Sequence, residues 1–140
     1  MPQRSDIVAA AREWIDTPFV WQASVKGVGA DCRGLISGVA RDLGLPEADS
    51  FYARTADYAK VDPALLKAGL RAVFDPATVE RPGDVLLLDI GGKPQHLAIY
   101  VGCGRMIHTY GNNLSRVIEV AMGRAWRDKI DSVWTWRGIA

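Results

Sequence analysis

The 140-residue chain has only two cysteines and two histidines, and that scarcity removes whole classes of chemistry. Two cysteines do not make the disulfide framework that staples small secreted domains, though one bridge between Cys32 and Cys103 stays formally open. No C-x-x-C or H-x-x-x-H pair occurs, so no metal site is expected. There are 17 basic and 16 acidic residues, for a net charge of +1 with no basic run. That balance leaves no electrostatic footprint for nucleic acid or for an anionic membrane surface. No apolar stretch is long enough to span a bilayer. The opening MPQRSDIVAAAREWID carries acids and bases where a signal peptide would be continuously apolar, so the expectation is synthesis in a cytoplasm.

What is present describes one soluble domain over residues 1–140. Apolar residues are 49% and charged residues 24%, close to a globular average. Ser5 and Asp6 start a helix whose apolar face is Ile7, Val8, Ala11, Trp14 and Ile15, and Thr17–Pro18 closes it. Phe19 to Ala30 reads as a loop. Asp31 caps a helix from about Cys32 to Leu43, stopped by Gly44 and Pro46. Residues 47–60 read as irregular, and Asp62–Pro63 opens a short helix to about Leu70. The turn RPGD leads into the buried strand VLLLDI. HLAIYV, GCG and RMIHTY then read as a hairpin, and VIEV and SVWTWR as two further strands, with AMGRAWRDK a short helix between them. Helices first and antiparallel strands after give an α+β domain.

Cys32 falls in the first turn of its helix, where the dipole and unpaired N–H groups lower a thiol pKa and favour the thiolate. The plainer alternative is a buried space-filling thiol. A thiolate nucleophile also needs a base held by a third group. The only histidines, His96 and His108, both lie in the hairpin. If Gly102, Cys103 and Gly104 form a three-residue loop, residue i faces residue 206 − i, and His108 lies opposite Ala98. His96, Ala98 and His108 then share one sheet face, with the two histidines diagonal neighbours about 7–8 Å apart at Cβ. A two- or four-residue loop would part them. One strand-borne histidine is ordinarily a satisfied core or surface residue. Two converging beside a helix-capping cysteine favour Cys–His catalysis, although spacing does not show that the helix packs on that face.

With these residues in view the chain resembles the NlpC-like cell-wall peptidases, papain-like cysteine peptidases of bacteria and phages. Their cysteine motif D-C-S-G-(L/F/V) is matched by DCRGL at Asp31–Leu35, and H-V-(G/A)-I-Y by HLAIY at His96–Tyr100. A P-G-D turn precedes that strand pair, matched at Pro82–Asp84, and (F/M)-I-H is matched at Met106–His108. Four motifs in order cover nearly the whole chain. The loop TPFVWQASVKGVGADC looks most like the small tail-associated peptidases of phages and gene transfer agents. The resemblance implies a papain-like NlpC-type fold, N-terminal helices packed on an antiparallel sheet with the nucleophile at a helix N-terminus. It implies Cys32 as nucleophile, His96 as base and then acid, and His108 as its orienter, without metal or cofactor. The implied substrate is the peptidoglycan stem peptide, cut between D-glutamate and diaminopimelate or lysine. The implied partners are phage-like tail hub or tip proteins, so that an enzyme made in a bacterial cytoplasm reaches the wall of a target cell.

Two departures stand out. Many members carry a tyrosine before the cysteine, in G-x-x-Y, whose hydroxyl helps bind the oxyanion; here Phe19 occupies that place. Losing one oxyanion donor costs about 10²–10³ in rate. Arg33 stands where serine is usual, and it lowers the thiol pKa, binds a substrate carboxylate or points to solvent. Asp31 and Trp21 complete the candidates around the oxyanion and substrate, Asp31 being more a helix cap than an acid. The five tryptophans suit a core or interface better than a glycan groove. Cys103 is an incidental thiol at the hairpin tip. Phe19 and Arg33 favour a rival reading, a structural tail-tip component with weak or lost catalysis. An amidase or acyl transferase on the same fold is a third.

Overall fold

The structure, a computed structural model, describes residues 1–47, 62–111 and 115–140. Helix α1 spans Arg4–Arg12, β1 Ser24–Val25, β2 Gly29–Ala30, α2 Cys32–Asp42 and α3 Pro63–Val73. Then follow β3 (Phe74–Ala77), β4 (Val85–Ile90), β5 (Lys93–Gly102), β6 (Arg105–His108), β7 (Ile118–Ala121), α4 (Arg124–Arg127) and β8 (Ile130–Trp136). Six strands form one antiparallel sheet in the order β3-β8-β4-β5-β6-β7, with the longer helices ahead of it in the chain. The α+β expectation stands.

The elements follow local chemistry, with boundaries that differ from the sequence reading. Helix α1 starts ahead of Ser5, because Asp6 reaches back to accept from the Gln3 N–H at 2.7 Å. It ends at Arg12, and Asp16 turns the chain at φ 73° before Pro18. Asp62 caps α3 through the Ala64 N–H at 2.9 Å, and Pro63 fills its first position. The stretch 19–30, expected to be loop throughout, folds part of itself into the two-residue strands β1 and β2, paired Ser24 with Ala30 and Val25 with Gly29. Strand β3 was not expected, since Asp75 and Pro76 both disfavour strands. It survives as an edge strand paired only with β8, where a missing N–H is tolerated. The expected irregular stretch lies, from 48 to 60, outside the described residues.

Strand alternation divides the apolar side chains into two cores. Val85, Leu87, Leu97, Ile99 and Ile107 point toward the helices and join Ile7, Trp14, Leu35, Ile36, Val39 and Leu70. Leu86, Leu88, Ala98, Met106 and Val133 form a smaller cluster on the other face, with Trp126 against it. VLLLDI is therefore buried on both sides, as an uninterrupted apolar run requires. Trp14, Trp134 and Trp136 are core residues, which removes three of the five tryptophans from any glycan groove.

The hairpin of β5 and β6 has the expected register, Ile99 opposite Ile107 and Tyr100 opposite Met106, so residue i faces 206 − i. Gly102, Cys103 and Gly104 all have positive φ, at 98°, 52° and 70°. A register shift between Tyr100 and Gly102 absorbs the odd residue.

The PGD turn ties the N-terminal helix to this sheet. Asp84 is fully buried; its Oδ1 accepts from Arg4 Nη1 at 2.6 Å and Thr135 Oγ1 at 2.9 Å, and Oδ2 accepts from the Arg81 N–H at 2.9 Å. Gly83 N–H donates to the Tyr100 carbonyl at 2.7 Å, while Trp136 Nε1 donates to the Gly83 carbonyl at 2.6 Å. Removing the carboxylate strands three donors, so Asp84→Ala is expected to lower the unfolding free energy by about 3 kcal/mol, measured by urea titration. Asp84→Asn should recover part of the loss.

Candidate active site

The start of α2 is built around one carboxylate. Asp31 sits at the N-cap in extended geometry, and its Oδ1 accepts from the Gly34 N–H at 2.7 Å. Its Oδ2 accepts from the Gln22 N–H at 2.9 Å, which fastens the preceding loop to the helix. Burial pushes the Asp31 carboxyl upward, against the pull of these two N–H groups and of Arg33. The capping role expected for Asp31 is its role in the structure. A glycine is needed at 34 because the Ala23 carbonyl lies where a Cβ would stand.

Cys32 follows the cap, fully buried and not in a disulfide. Arg33 is 1% exposed, which overturns the solvent-pointing alternative. Its guanidinium carbon lies 5.0 Å from the Trp21 ring centroid, and Nη2 is 4.0 Å from Asp31 Oδ2. This cation is folded into the site wall by aromatic stacking and a neighbouring carboxylate.

His96 and His108 share the sheet face of Ala98 and Met106, and His96 Nε2 lies 2.8 Å from His108 Nδ1. Their rings meet edge to face, centroids 5.1 Å apart. They are 3% and 5% exposed. Burial, and for His96 also the partner ring, lowers both, His96 to about 3 and His108 to about 4. Each is therefore neutral near pH 7, and one ring donates to the other. A register shift between Leu88 and Asp89 precedes His96 in the β4–β5 ladder, an irregularity of the kind that re-aims a side chain.

The structure thus brings the two histidines into direct contact. It packs α2 against β5 on the opposite face, where Cys32 shares a core with Leu97 and Ile107, the chain neighbours of the histidines. Phe19 links the two regions. Its backbone bridges Ala30 just before the cap, and its half-buried ring lies against Gly111. Gly111 in turn lines a small cavity of about 130 Å³ with Gln95, His96 and Tyr110.

Two residues escaped the sequence reading. The Tyr110 ring lies 5.5 Å from that of His96, and the Trp126 ring lies 5.1 Å from His108 and 6.0 Å from His96. Both line a cleft of about 420 Å³ with His108, Arg116, Ile118 and Val120. Tyr110 continues the period-two series Met106, His108 and was detectable from it. Nothing local in AMGRAWRDK points Trp126 at the histidines. Among the described residues no cluster of histidine, cysteine, aspartate or glutamate could hold a metal ion, and no helix is long and apolar enough to cross a membrane.

A family model described as the NlpC/P60 family matches residues 16–135. The probable endopeptidase p60 of Listeria grayi is 26% identical over 123 residues, 87% of this chain. Those residues are 20% of that protein, so the chain spans about a fifth of its curated relative. Among solved structures, the NlpC/p60 domain of the peptidoglycan hydrolase SagA superposes with a TM-score of 0.59 at 24% identity, covering 85% of this chain and 89% of that one. An NlpC/P60 protein of Bacillus cereus gives 0.65 at 18%, covering 94% and 39%. The peptidoglycan hydrolase RipB of Mycobacterium tuberculosis gives 0.60 at 18%, covering 98% and 65%. At these identities the structural likeness establishes the fold.

The lowered imidazoles set a pH dependence. An unfolded histidine takes up a proton near pH 6.5, whereas these two do so only near 4 and 3 when folded. The unfolded chain therefore binds more protons between about pH 4 and 6.5, and stability falls as pH drops through that window. The expected result is a urea midpoint that declines from pH 6.5 to 4.5, with a shallower decline in the His96→Gln/His108→Gln double variant.

Proposed function

The chain belongs to the NlpC/P60 family, and from that premise we propose that it is a cysteine endopeptidase hydrolysing the peptide stems of peptidoglycan. The observation that carries this reading is the buried imidazole pair, joined at 2.8 Å, on strands of the sheet against which packs a helix that opens on a capped cysteine. The relatives named as an endopeptidase and as peptidoglycan hydrolases support the substrate class.

With His96 Nε2 engaged by His108, Nδ1 is the nitrogen left to take a proton. His96 then carries its own proton on Nε2 and donates it to His108 Nδ1, the tautomer that leaves the Nδ1 lone pair open. Cys32 Sγ attacks the carbonyl carbon of the scissile amide while its proton passes to His96 Nδ1. The oxyanion forms at the positive end of α2. His96 returns the proton to the departing amine, leaving a thioester on Cys32. Water, deprotonated by His96, then releases the acid and the thiol. The bond proposed is D-glutamyl–diaminopimelate. The proposal extends to a carrier: synthesis in a bacterial cytoplasm and incorporation into a phage or gene-transfer-agent tail, with hub or tip proteins as partners. The support for that is the likeness of the loop TPFVWQASVKGVGADC to tail-associated peptidases.

The full burial of Cys32 and the phenylalanine at position 19 favour a second reading, a structural tail-tip component with weak or lost catalysis.

Digestion of diaminopimelate-type sacculi under reducing conditions separates the readings. Release of peptides ending at D-glutamate, seen by mass spectrometry and lost in Cys32→Ala, is the expected outcome, with His96→Ala lowering the rate at least 10²-fold. Silence together with slow alkylation of Cys32 at neutral pH would favour the structural component. Fragments cut elsewhere would indicate an amidase or acyl transferase.

A further inference from the structure

We propose that Trp126 is a positioning residue for the imidazole pair, the wall that holds both rings in hydrogen-bonding geometry and keeps water from them. The inference rests on reading that pair as base and orienter. Its geometric basis is separate from that reading.

Among the described residues Trp126 is the one aromatic side chain whose ring lies against both histidines. It stands edge-on to His108 at 5.1 Å with an interplanar angle of 79°, and over His96 at 6.0 Å with 34°. Rotation of either imidazole about its Cβ–Cγ bond would break the 2.8 Å bond, and the indole lies against both rings. The short helix carrying Trp126 has too few residues to be rigid alone. It is held at both ends instead. Met122 N–H donates to the Gly104 carbonyl at the β5–β6 tip, and Asp89 N–H in β4 donates to the Lys129 carbonyl, each at 2.7 Å. Arg127 adds an ion pair to Glu80 at 2.6 Å. The segment is thus strapped across the sheet with Trp126 as its inward side chain, half-buried against the second core.

The groups facing the pair from neighbouring elements are Tyr110, Gln95 and, across the larger cleft, Arg116. Tyr110 is 44% exposed whereas Trp126 is half-buried against the second core, so Trp126 is the better shield of the two. Desolvation is the leading cause of the lowering of both imidazoles, consistent with a ring that excludes water.

The test uses Trp126→Ala and Trp126→Phe, with Arg124→Ala as control because that side chain is 94% exposed on the same helix. NMR titration of the imidazole C–H signals, in a Cys32→Ala background, reads the pair without requiring activity. Trp126→Ala is expected to raise the His108 midpoint by about one pH unit or more toward 6.5, and Trp126→Phe by a smaller amount of the same sign. Arg124→Ala should leave it in place. With Cys32 present and a soluble stem peptide as substrate, Trp126→Ala should lower kcat about tenfold or more with KM within about twofold. Should Trp126→Ala fail to fold, the shift in Trp126→Phe decides. Unmoved midpoints in the folded variants would overturn the proposal, as would a raised KM at unchanged kcat, which would make Trp126 a substrate contact. A wild-type chain without peptidase activity would sink the functional reading while the titration still judged Trp126.

Discussion

The pairing register of β5 with β6 is the constraint from which both the core and the site follow. Strand side chains alternate with period two, so one choice of register decides two things together. It sends Leu97, Ile99 and Ile107 toward the helices, where they close the main core, and it sends His96 and His108 to the opposite face within hydrogen-bond distance. A slip by one residue would place imidazoles in the helix interface and aliphatic side chains beneath Trp126. Fold stability therefore enforces the site geometry, and the enforcement traces to Gly102 and Gly104 flanking the turn at positive φ. Cys103 between them shares that backbone region, at φ 52°, without a side-chain requirement of its own.

The start of α2 shows how buried polar groups are accommodated beside a core. Asp31, Arg33, His96 and His108 are all at most 5% exposed. Desolvating a charge or an imidazole is unfavourable unless partners replace water. Asp31 receives two backbone N–H groups and the nearby Arg33; Arg33 lies over Trp21; each imidazole has the other. Asp31 does two jobs with two oxygens, capping α2 through Oδ1 and anchoring the loop at Gln22 through Oδ2. The loop that carries Phe19 and Trp21 is thereby fixed relative to Cys32.

What the sequence disclosed was what short-range rules govern. Asp31 and Asp62 as caps, the buried run VLLLDI and the register of the histidine hairpin depend on a few adjacent residues, and all were legible. Strand β3 was hidden because Pro76 and Asp75 argue against a strand, and only the edge position beside β8 makes one tolerable. The short ladder of β1 and β2 was hidden by glycines that read as loop. Arg33 was left open to solvent because nothing in DCRGL shows that Trp21, twelve residues earlier in the chain, turns back over it. Trp126 is the same case at longer range, since its meeting with His96 and His108 depends on straps from Met122 to Gly104 and from Lys129 to Asp89.

Two electrostatic effects of opposite sign meet between the start of α2 and the imidazole pair. A helix N-terminus favours a nearby anion by about 0.3–1 kcal/mol, rising to ~2 kcal/mol in partly buried settings. Burial, and after it the neighbouring His108, works against a cation on His96. The start of α2 favours an anion while burial disfavours a cation on His96, and attraction between two such opposite charges would offset part of that cost. The walls that exclude water then have two opposed effects. They hold the imidazoles neutral and aligned beforehand, and they strengthen every charge interaction in the transition state. A hydrated, flexible histidine would ionise more readily at rest but would gain less from the substrate's charge. On the proposed function, the tryptophan that packs against both imidazoles is part of those walls.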